Sequence, residues 1–383
     1  MVKAFSILLL SAACAVASAR SIKAPLHKRG SPTAKDVVHA DTHRWANLKS
    51  NSKIIPALNN EFSYFIEVDM GTPAQKTELL FDTGSSLVWV ADSQFKGSKS
   101  KTIKDLKFAN LLEYGSGNVT IDFYSDSLAI GGYKVKQSFG IASNVSAIGT
   151  NGIIGFGPLD LAGVTNQHNK TYAIPTPMDN FYSSHQISTE VVGVDFRPIW
   201  NGAQQASNGE IDIGGIDHSK YKGKLTYIPV TKKSPAKYYW GVDIPRISFG
   251  NHVASTGRSG IVDTGTTLIL LQQNILEKLF SYVPGATLDS NTTLYTIPHG
   301  KLNKLKDITF TIGSKPFTLT PQQYMIPQNQ YENWELTKGV HYTYFSTLGF
   351  DASLDAIIGQ KFLENYYSVF DTTHHRVGLA PRK

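Results

Sequence analysis

Two aspartates, Asp82 and Asp263, sit in closely similar surroundings: Phe81-Asp-Thr-Gly-Ser-Ser-Leu-Val-Trp-Val90 and Val262-Asp-Thr-Gly-Thr-Thr-Leu-Ile-Leu-Leu271. One Asp-Thr-Gly carries little weight, because Asp and Gly are ordinary turn residues and about 0.1 copies are expected by chance in this length. Two copies, each led in by an apolar strand and followed by a further hydroxyl residue and a second apolar strand, point to paired chemistry. Carboxylates about 3 Å apart cannot both ionise, so one keeps a proton and the other does not. Such a pair supplies in one place the base and the acid that water attack on a peptide bond requires, and its titration belongs to the pair. The neighbours suit the task. Gly84 and Gly265 let the chain turn tightly and bring backbone N–H groups to the carboxylates. Thr83 and Thr264 have hydroxyls able to cross-link the two loops, and Ser85 and Thr266 have hydroxyls for the outer carboxylate oxygens. This chemistry needs no nucleophilic serine, metal or cofactor, and neither a His-Glu-x-x-His nor a Gly-x-Ser-x-Gly pattern occurs.

Short strands must position these loops. Alternation over residues 61–69 predicts a strand, turned by Met70-Gly-Thr-Pro73. Leu79 to Phe81 leads into Asp82, and residues 86–90 make another strand. Further strands are expected at 119–123, 127–130, 191–195, 210–213, 225–230, 306–312 and 368–370. The helices expected are short, the clearest within 271–283 and another at 360–366. Downstream of each Asp-Thr-Gly lies an apolar pair against a glycine, Gly152-Ile-Ile-Gly155 and Ala356-Ile-Ile-Gly359. The repeat is far too long for a solenoid and implies two related lobes. An all-β chain of two lobes, with few short helices, is therefore expected.

The N-terminus reads as targeting and processing sequence. Lys3, the apolar run from Phe5 to Val16 and Ala17-Ser-Ala19 fit a signal peptide over 1–19, with an apolar run too short to span a bilayer. The only cysteine, Cys14, lies in it, so the remainder has no disulfide and no thiolate chemistry. Residues 20–58 carry eight basic side chains against Asp36 and Asp41, which places most of the formal charge of +7 there. In a secreted chain this reads as a cationic propeptide over an acidic cleft rather than a nucleic-acid arm. The lobes are then expected at 59–225 and 226–383. No nucleic-acid partner and no membrane association after signal removal are expected. Sequons at Asn118, Asn144, Asn169 and Asn291 are candidate glycan sites.

Beyond the two repeats, Gly71-Thr-Pro-Ala-Gln75, Tyr114-Gly-Ser-Gly117, Gly152 to Pro158, Asn208-Gly-Glu210, Gly214-Gly-Ile-Asp217, Tyr239-Trp-Gly241, Tyr366 to Thr373 and Arg376 to Ala380 carry a resemblance over nearly all of residues 60–383. The chain resembles the pepsin-like aspartic peptidases, and within them a fungal group without disulfides. The resemblance implies a bilobal β fold whose two lobes, related by a pseudo-twofold axis, flank a cleft for an extended peptide, with Asp82 and Asp263 holding the nucleophilic water. It implies a secreted monomer made as a zymogen and active in acid. Tyr114, with Gly115 and Ser116, would form the tip of a flap over substrate. Trp89 matches the position whose indole supports that tyrosine, and Thr267 a position that touches substrate. Ser116 stands where relatives that accept a basic P1 side chain have Asp, which implies a preference for large apolar or aromatic residues. The stretch from Ser21 to Arg29 resembles the start of pepsinogen-type propeptides, from which Lys49 or Lys53 would reach the catalytic pair, and Lys28-Arg29 is an alternative processing site. Leu87 replaces the family's usual Asn, away from the catalytic atoms. Non-catalytic binding relatives usually lose an aspartate or the flap tyrosine, and this chain keeps both. A glycosidase using two carboxylates is disfavoured by the paired Asp-Thr-Gly loops.

Overall fold

The computed structural model describes residues 21–28, 33–46, 63–114, 117–143, 145, 150–161, 163–165, 171–199 and 206–383. Strands dominate, in two large sheets that make two β lobes with few short helices. Each sheet is organised around one aspartate. In the first lobe, strand Gln75–Asp82 ends on the aspartate and pairs in parallel with Gly152–Gly155, which in turn pairs antiparallel with Val88–Ala91. In the second lobe, His252–Val262 stops one residue short of Asp263. It pairs in parallel with Ala356–Ile358, and that strand runs antiparallel to Ile269–Leu271. The same three-strand device thus appears twice, once per copy of the repeat. Its apolar Ile-Ile pairs are fully enclosed, as central parallel strands require.

Among the described residues the first sheet has thirteen strands and the second nine. The C-terminal strands Tyr366–Asp371 and Arg376–Pro381 join the first sheet, beside Val191–Asp195 and Thr226–Pro229. Strand Ile22–Lys28 also joins it, inserted between Ala206–Ile213 and Tyr64–Met70. One apolar cluster runs through both lobes and includes Phe81, Phe156, Trp240, Val262 and Phe370. The Trp240 indole N–H crosses the lobes to donate to the Phe156 carbonyl at 2.9 Å.

Three local expectations need correction. Residues 119–123 and 127–130 are not two strands but parts of one, Gly117–Ile130. The polar residues between them do not mark a turn. Asp126 is buried, and accepts from the hydroxyls of Ser100 and Thr102 at 2.6 Å each. The helix at 360–366 is only Gln360–Leu363, because Tyr366 already opens the next strand. The longest helix among the described residues, Ala34–Ala46, was not expected. Its start is a reciprocal cap, in which the Thr33 N–H donates to Asp36 at 3.2 Å and the Asp36 N–H to the Thr33 hydroxyl at 3.1 Å.

Strand Ile22–Lys28 is held at its outer face by Lys23, which pairs with Asp217 and lies 3.6 Å from Glu210. The Lys23 hydrogen bond holds the Asp217 carboxyl below its ordinary range, aided by Ser219. A carboxyl depressed in the folded state contributes its full stabilisation above its unfolded value of about 4, and loses it as pH falls towards the folded value. The Lys23 ammonium, raised by its hydrogen bond to Asp217, keeps its contribution at every pH below its unfolded value and loses it only as the solution turns strongly alkaline. Lys23→Met is therefore expected to lower the melting temperature of the full chain by about 1–3 °C at pH 6, given the exposure of the lysine, and by clearly less near pH 2, where the contribution is only partly lost. Calorimetry across pH on a chain made inactive by Asp82→Asn checks this; a pH-independent gap would contradict it.

Candidate active site

The two Asp-Thr-Gly loops meet at the seam between the lobes, with both aspartates fully buried. Gly84 donates its N–H to Asp82 Oδ1 at 2.9 Å, and the Ser85 hydroxyl donates to Oδ2 at 2.5 Å. Gly265 donates its N–H to Asp263 Oδ1 at 2.9 Å, and the Thr266 hydroxyl bonds to Oδ2. Each carboxylate is thus oriented by the same two donors, one from backbone and one from a hydroxyl.

The loops are also bolted to each other. The Thr83 N–H donates to Thr264 Oγ1 at 2.9 Å, and the Thr264 N–H donates to Thr83 Oγ1 at 3.0 Å. Each hydroxyl then donates across the seam, Thr264 to the Phe81 carbonyl at 3.1 Å and Thr83 to the Val262 carbonyl at 3.4 Å. Every polar atom of the two threonine side chains is used, as burial at 0 % exposure demands. The residues adjacent to Asp82 and Asp263 are locked together by four hydrogen bonds, so the aspartates are held in a fixed relation.

Behind each loop stands the glycine that ends the Ile-Ile strand. On the first side, the Phe156 N–H donates to the Asp82 carbonyl at 2.7 Å and the Gly157 N–H to the Ser85 carbonyl at 2.7 Å. On the second, Gln360 and Lys361 donate their N–H groups to the carbonyls of Thr266 at 2.7 Å and Thr267 at 2.9 Å. Here the symmetry breaks. The buried Gln360 amide adds a bond from Nε2 to the Thr264 carbonyl at 2.8 Å, whereas the matching position of the first lobe is Phe156. Sequence reasoning named neither Gln360 nor the buried Lys361–Glu364 ion pair beside it, whose Lys361 Nζ is 3.1 Å from Glu364 and also lies over the Tyr344 ring. The signal for Gln360 was its place after the second Ile-Ile-Gly.

Of the remaining candidates, Thr267 is buried and donates its N–H to Asp41 at 3.2 Å. Trp89 is buried, its Nε1 without a partner among the described residues. Tyr114 ends strand Lys104–Tyr114 and pairs in register with Gly117, at the tip of a long hairpin. Only the backbone of Tyr114 and Asn118 is described, and Asn291 is an exposed turn residue. Gly115, Ser116, Asn144, Asn169, Lys49, Lys53 and the signal segment lie outside the described residues.

Paired Asp-Thr-Gly loops, on twinned strand devices, at the junction of two β lobes are the arrangement of the pepsin-like aspartic proteases. The chain belongs to the eukaryotic aspartyl protease family, whose profile matches residues 63–382, and it is an aspartic endopeptidase. It is similar to polyporopepsin of Irpex lacteus, with 37% identity over an alignment of 333 residues that covers 85% of this chain and 96% of that one. It is also similar to vacuolar protease A of Aspergillus fumigatus, at 32% identity over 84% of this chain and 79% of that one. The crystal structure of the aspartic proteinase from Irpex lacteus matches the fold with a TM-score of 0.80 at 32% identity, covering 95% of this chain and 98% of that chain.

Proposed function

We propose that the chain is a secreted acid endopeptidase, made as a zymogen, in which Asp82 and Asp263 activate water against internal peptide bonds. The single observation that carries the assignment is the reciprocal Thr83–Thr264 lock, which ties together the two loops whose aspartates each accept one backbone and one hydroxyl hydrogen bond. The ionised member of the pair takes a proton from water as the water oxygen bonds to the scissile carbonyl carbon. The protonated member gives its proton to the carbonyl oxygen, which gives a neutral tetrahedral diol. The member that took the water proton then gives it to the nitrogen, the other takes a proton from a diol hydroxyl as the C–N bond breaks, and acid and amine leave with the pair back in its starting state. The donors from Gly84, Ser85, Gly265 and Thr266 keep both carboxyl planes oriented through this cycle.

The hairpin ending at Tyr114 and Gly117 acts as the flap, and the buried Trp89 N–H, which has no partner among the described residues, supports a donor role towards the flap tyrosine. Residues 1–19 are removed as a signal, 20–58 form the propeptide, and 59–225 and 226–383 form the lobes of a monomeric enzyme. A neutral Ser116 favours large apolar or aromatic residues beside the cut. Acid digestion of a mixed peptide library, with cut sites read by mass spectrometry, tests this reading. Internal cuts next to large apolar residues, blocked by a statine-type mimic, are expected, and Ser116→Asp is expected to add cleavage after Lys. Cleavage indifferent to the mimic would overturn the mechanism, and no gain from Ser116→Asp would overturn the specificity. Activity in the medium rather than in cells distinguishes secretion from a vacuolar destination.

A further inference from the structure

Helix Ala34–Ala46 buries Ala34, Val37 and Val38, and the same face continues one turn later at Asp41, which is 0 % exposed. Positions 34, 37, 38 and 41 follow the i, i+3, i+4, i+7 spacing of one helical stripe, in which the fourth place normally takes an apolar residue. A carboxylate there is costly unless its oxygens are hydrogen-bonded. The Asp41 oxygens are engaged by the main chain of the second catalytic loop. Oδ1 accepts the Thr267 N–H at 3.2 Å and Oδ2 accepts the Leu268 N–H at 2.7 Å. These are the fourth and fifth residues after Asp263, and the Thr267 carbonyl is itself tied to the Lys361 N–H at 2.9 Å. The apolar part of the stripe packs in a cluster with Tyr239, Leu268, Trp334, Tyr344 and Leu348, and the Ala34 N–H donates to the Trp334 carbonyl at 2.7 Å.

We propose that Asp41 is the ligand that keeps the full chain latent. Its carboxylate, seated on two adjacent amides, fixes the helix over the second catalytic loop. The inference rests on the reading of 20–58 as a propeptide and of Asp82 and Asp263 as the catalytic pair. Apolar contacts are non-directional and let a short helix slide or roll. Two charge-assisted hydrogen bonds to consecutive N–H groups set both its register and its rotation. An acceptor group of a bound peptide and the Asp41 carboxylate cannot hold those two amides at once, so the contact competes with any substrate that lies along this loop.

The test compares the intact full chain with the chain after propeptide removal, for wild type, Asp41→Ala, Asp41→Asn and the exposed control Lys35→Ala. The readouts are the initial rate on a quenched peptide, with chain length followed on gels, and the half-time of maturation in acid. Wild type and Lys35→Ala are expected to be latent when intact. Asp41→Ala is expected to cleave at least about tenfold faster while still intact and to mature faster, with Asp41→Asn between them because its amide offers a single acceptor. Once cut, all four should be equally active. If wild type is latent and both Asp41 variants are equally so, Asp41 is not the ligand, while the zymogen reading stands. If the intact wild-type chain is as active as the cut one, the propeptide reading fails and Asp41 has nothing to hold. Should Asp41→Ala fail to fold, Asp41→Asn, which keeps the side-chain volume, decides alone.

Discussion

Asp82→Asn and Asp263→Asn should each give a chain that folds like the parent and hydrolyses peptides on the order of 10²–10⁴-fold more slowly, with the loss in kcat and little change in KM. The reason lies in what an amide keeps and what it gives up. Asn retains the shape of Asp and one oxygen acceptor for the Gly84 or Gly265 N–H. Its NH₂ group can donate to the Ser85 or Thr266 hydroxyl, which reverses its own role as donor. The buried network is therefore rebuilt rather than broken, and thermal unfolding should move little. Proton transfer is lost, because an amide neither takes a proton from water nor releases one to the carbonyl oxygen. Since the pair works as a unit, the double variant should be no slower than the worse single one. Steady-state kinetics on the mature form check this. The same Asp82→Asn chain, held in acid beside wild type, separates self-processing from cleavage at Lys28-Arg29 by another protease: maturation of the purified mutant at the wild-type rate would exclude the first.

Much of the fold was legible because the signals were local and doubled. Two apolar strands bracketing each Asp-Thr-Gly, and a later Ile-Ile-Gly in each half, announce two related lobes, whereas the pairing of each Ile-Ile strand with the strands that bracket the aspartate is a matter of tertiary structure. What could not be read was the pairing across long separations. The sequence around Tyr366 gives no sign that its strand joins the first lobe's sheet, since the partner, Val191–Asp195, is chosen by tertiary packing. The polar residues Ser125 and Asp126 look like a turn until Ser100 and Thr102 arrive from elsewhere to donate to the buried Asp126 carboxylate. The helix at Ala34–Ala46 was missed for another reason. Its Thr-x-x-Asp start was present, but its buried stripe ends in a charged residue and so does not read as amphipathic. Asp41 makes sense only with the Thr267 and Leu268 amides in place.

The glycine that closes the second Ile-Ile strand supports the other large expected effect. Gly359→Ala should destabilise the chain by about 3 kcal/mol and lower kcat by roughly 10²-fold. A Cβ at Gly359 would lie 2.1 Å from the Leu268 carbonyl oxygen and 2.6 Å from that of Thr266. Both are backbone atoms, so no side-chain rotation relieves the clash, and the strand or the catalytic loop must move. Backbone conformation is not the obstacle, because Gly359 has φ of −89° and ψ of −168°, an extended geometry that alanine adopts freely. The glycine is required by close approach alone. The loop it touches carries Thr266, which orients Asp263, and accepts the Gln360 and Lys361 N–H bonds, so a displacement there reaches the carboxylate directly. Gly155 faces the first loop in the same way: a Cβ there would lie 2.6 Å from the Ser86 carbonyl carbon, and Gly155→Ala should behave alike. Gly300→Ala is the control: the site is exposed, nothing lies within 4 Å, and the change should stay within about 0.5 kcal/mol. Denaturant unfolding and kinetics on the three variants test the argument. If Gly359→Ala were as stable and as active as Gly300→Ala, the second loop would have room that this packing denies it, and the rigid positioning of Asp263 would have to come from elsewhere.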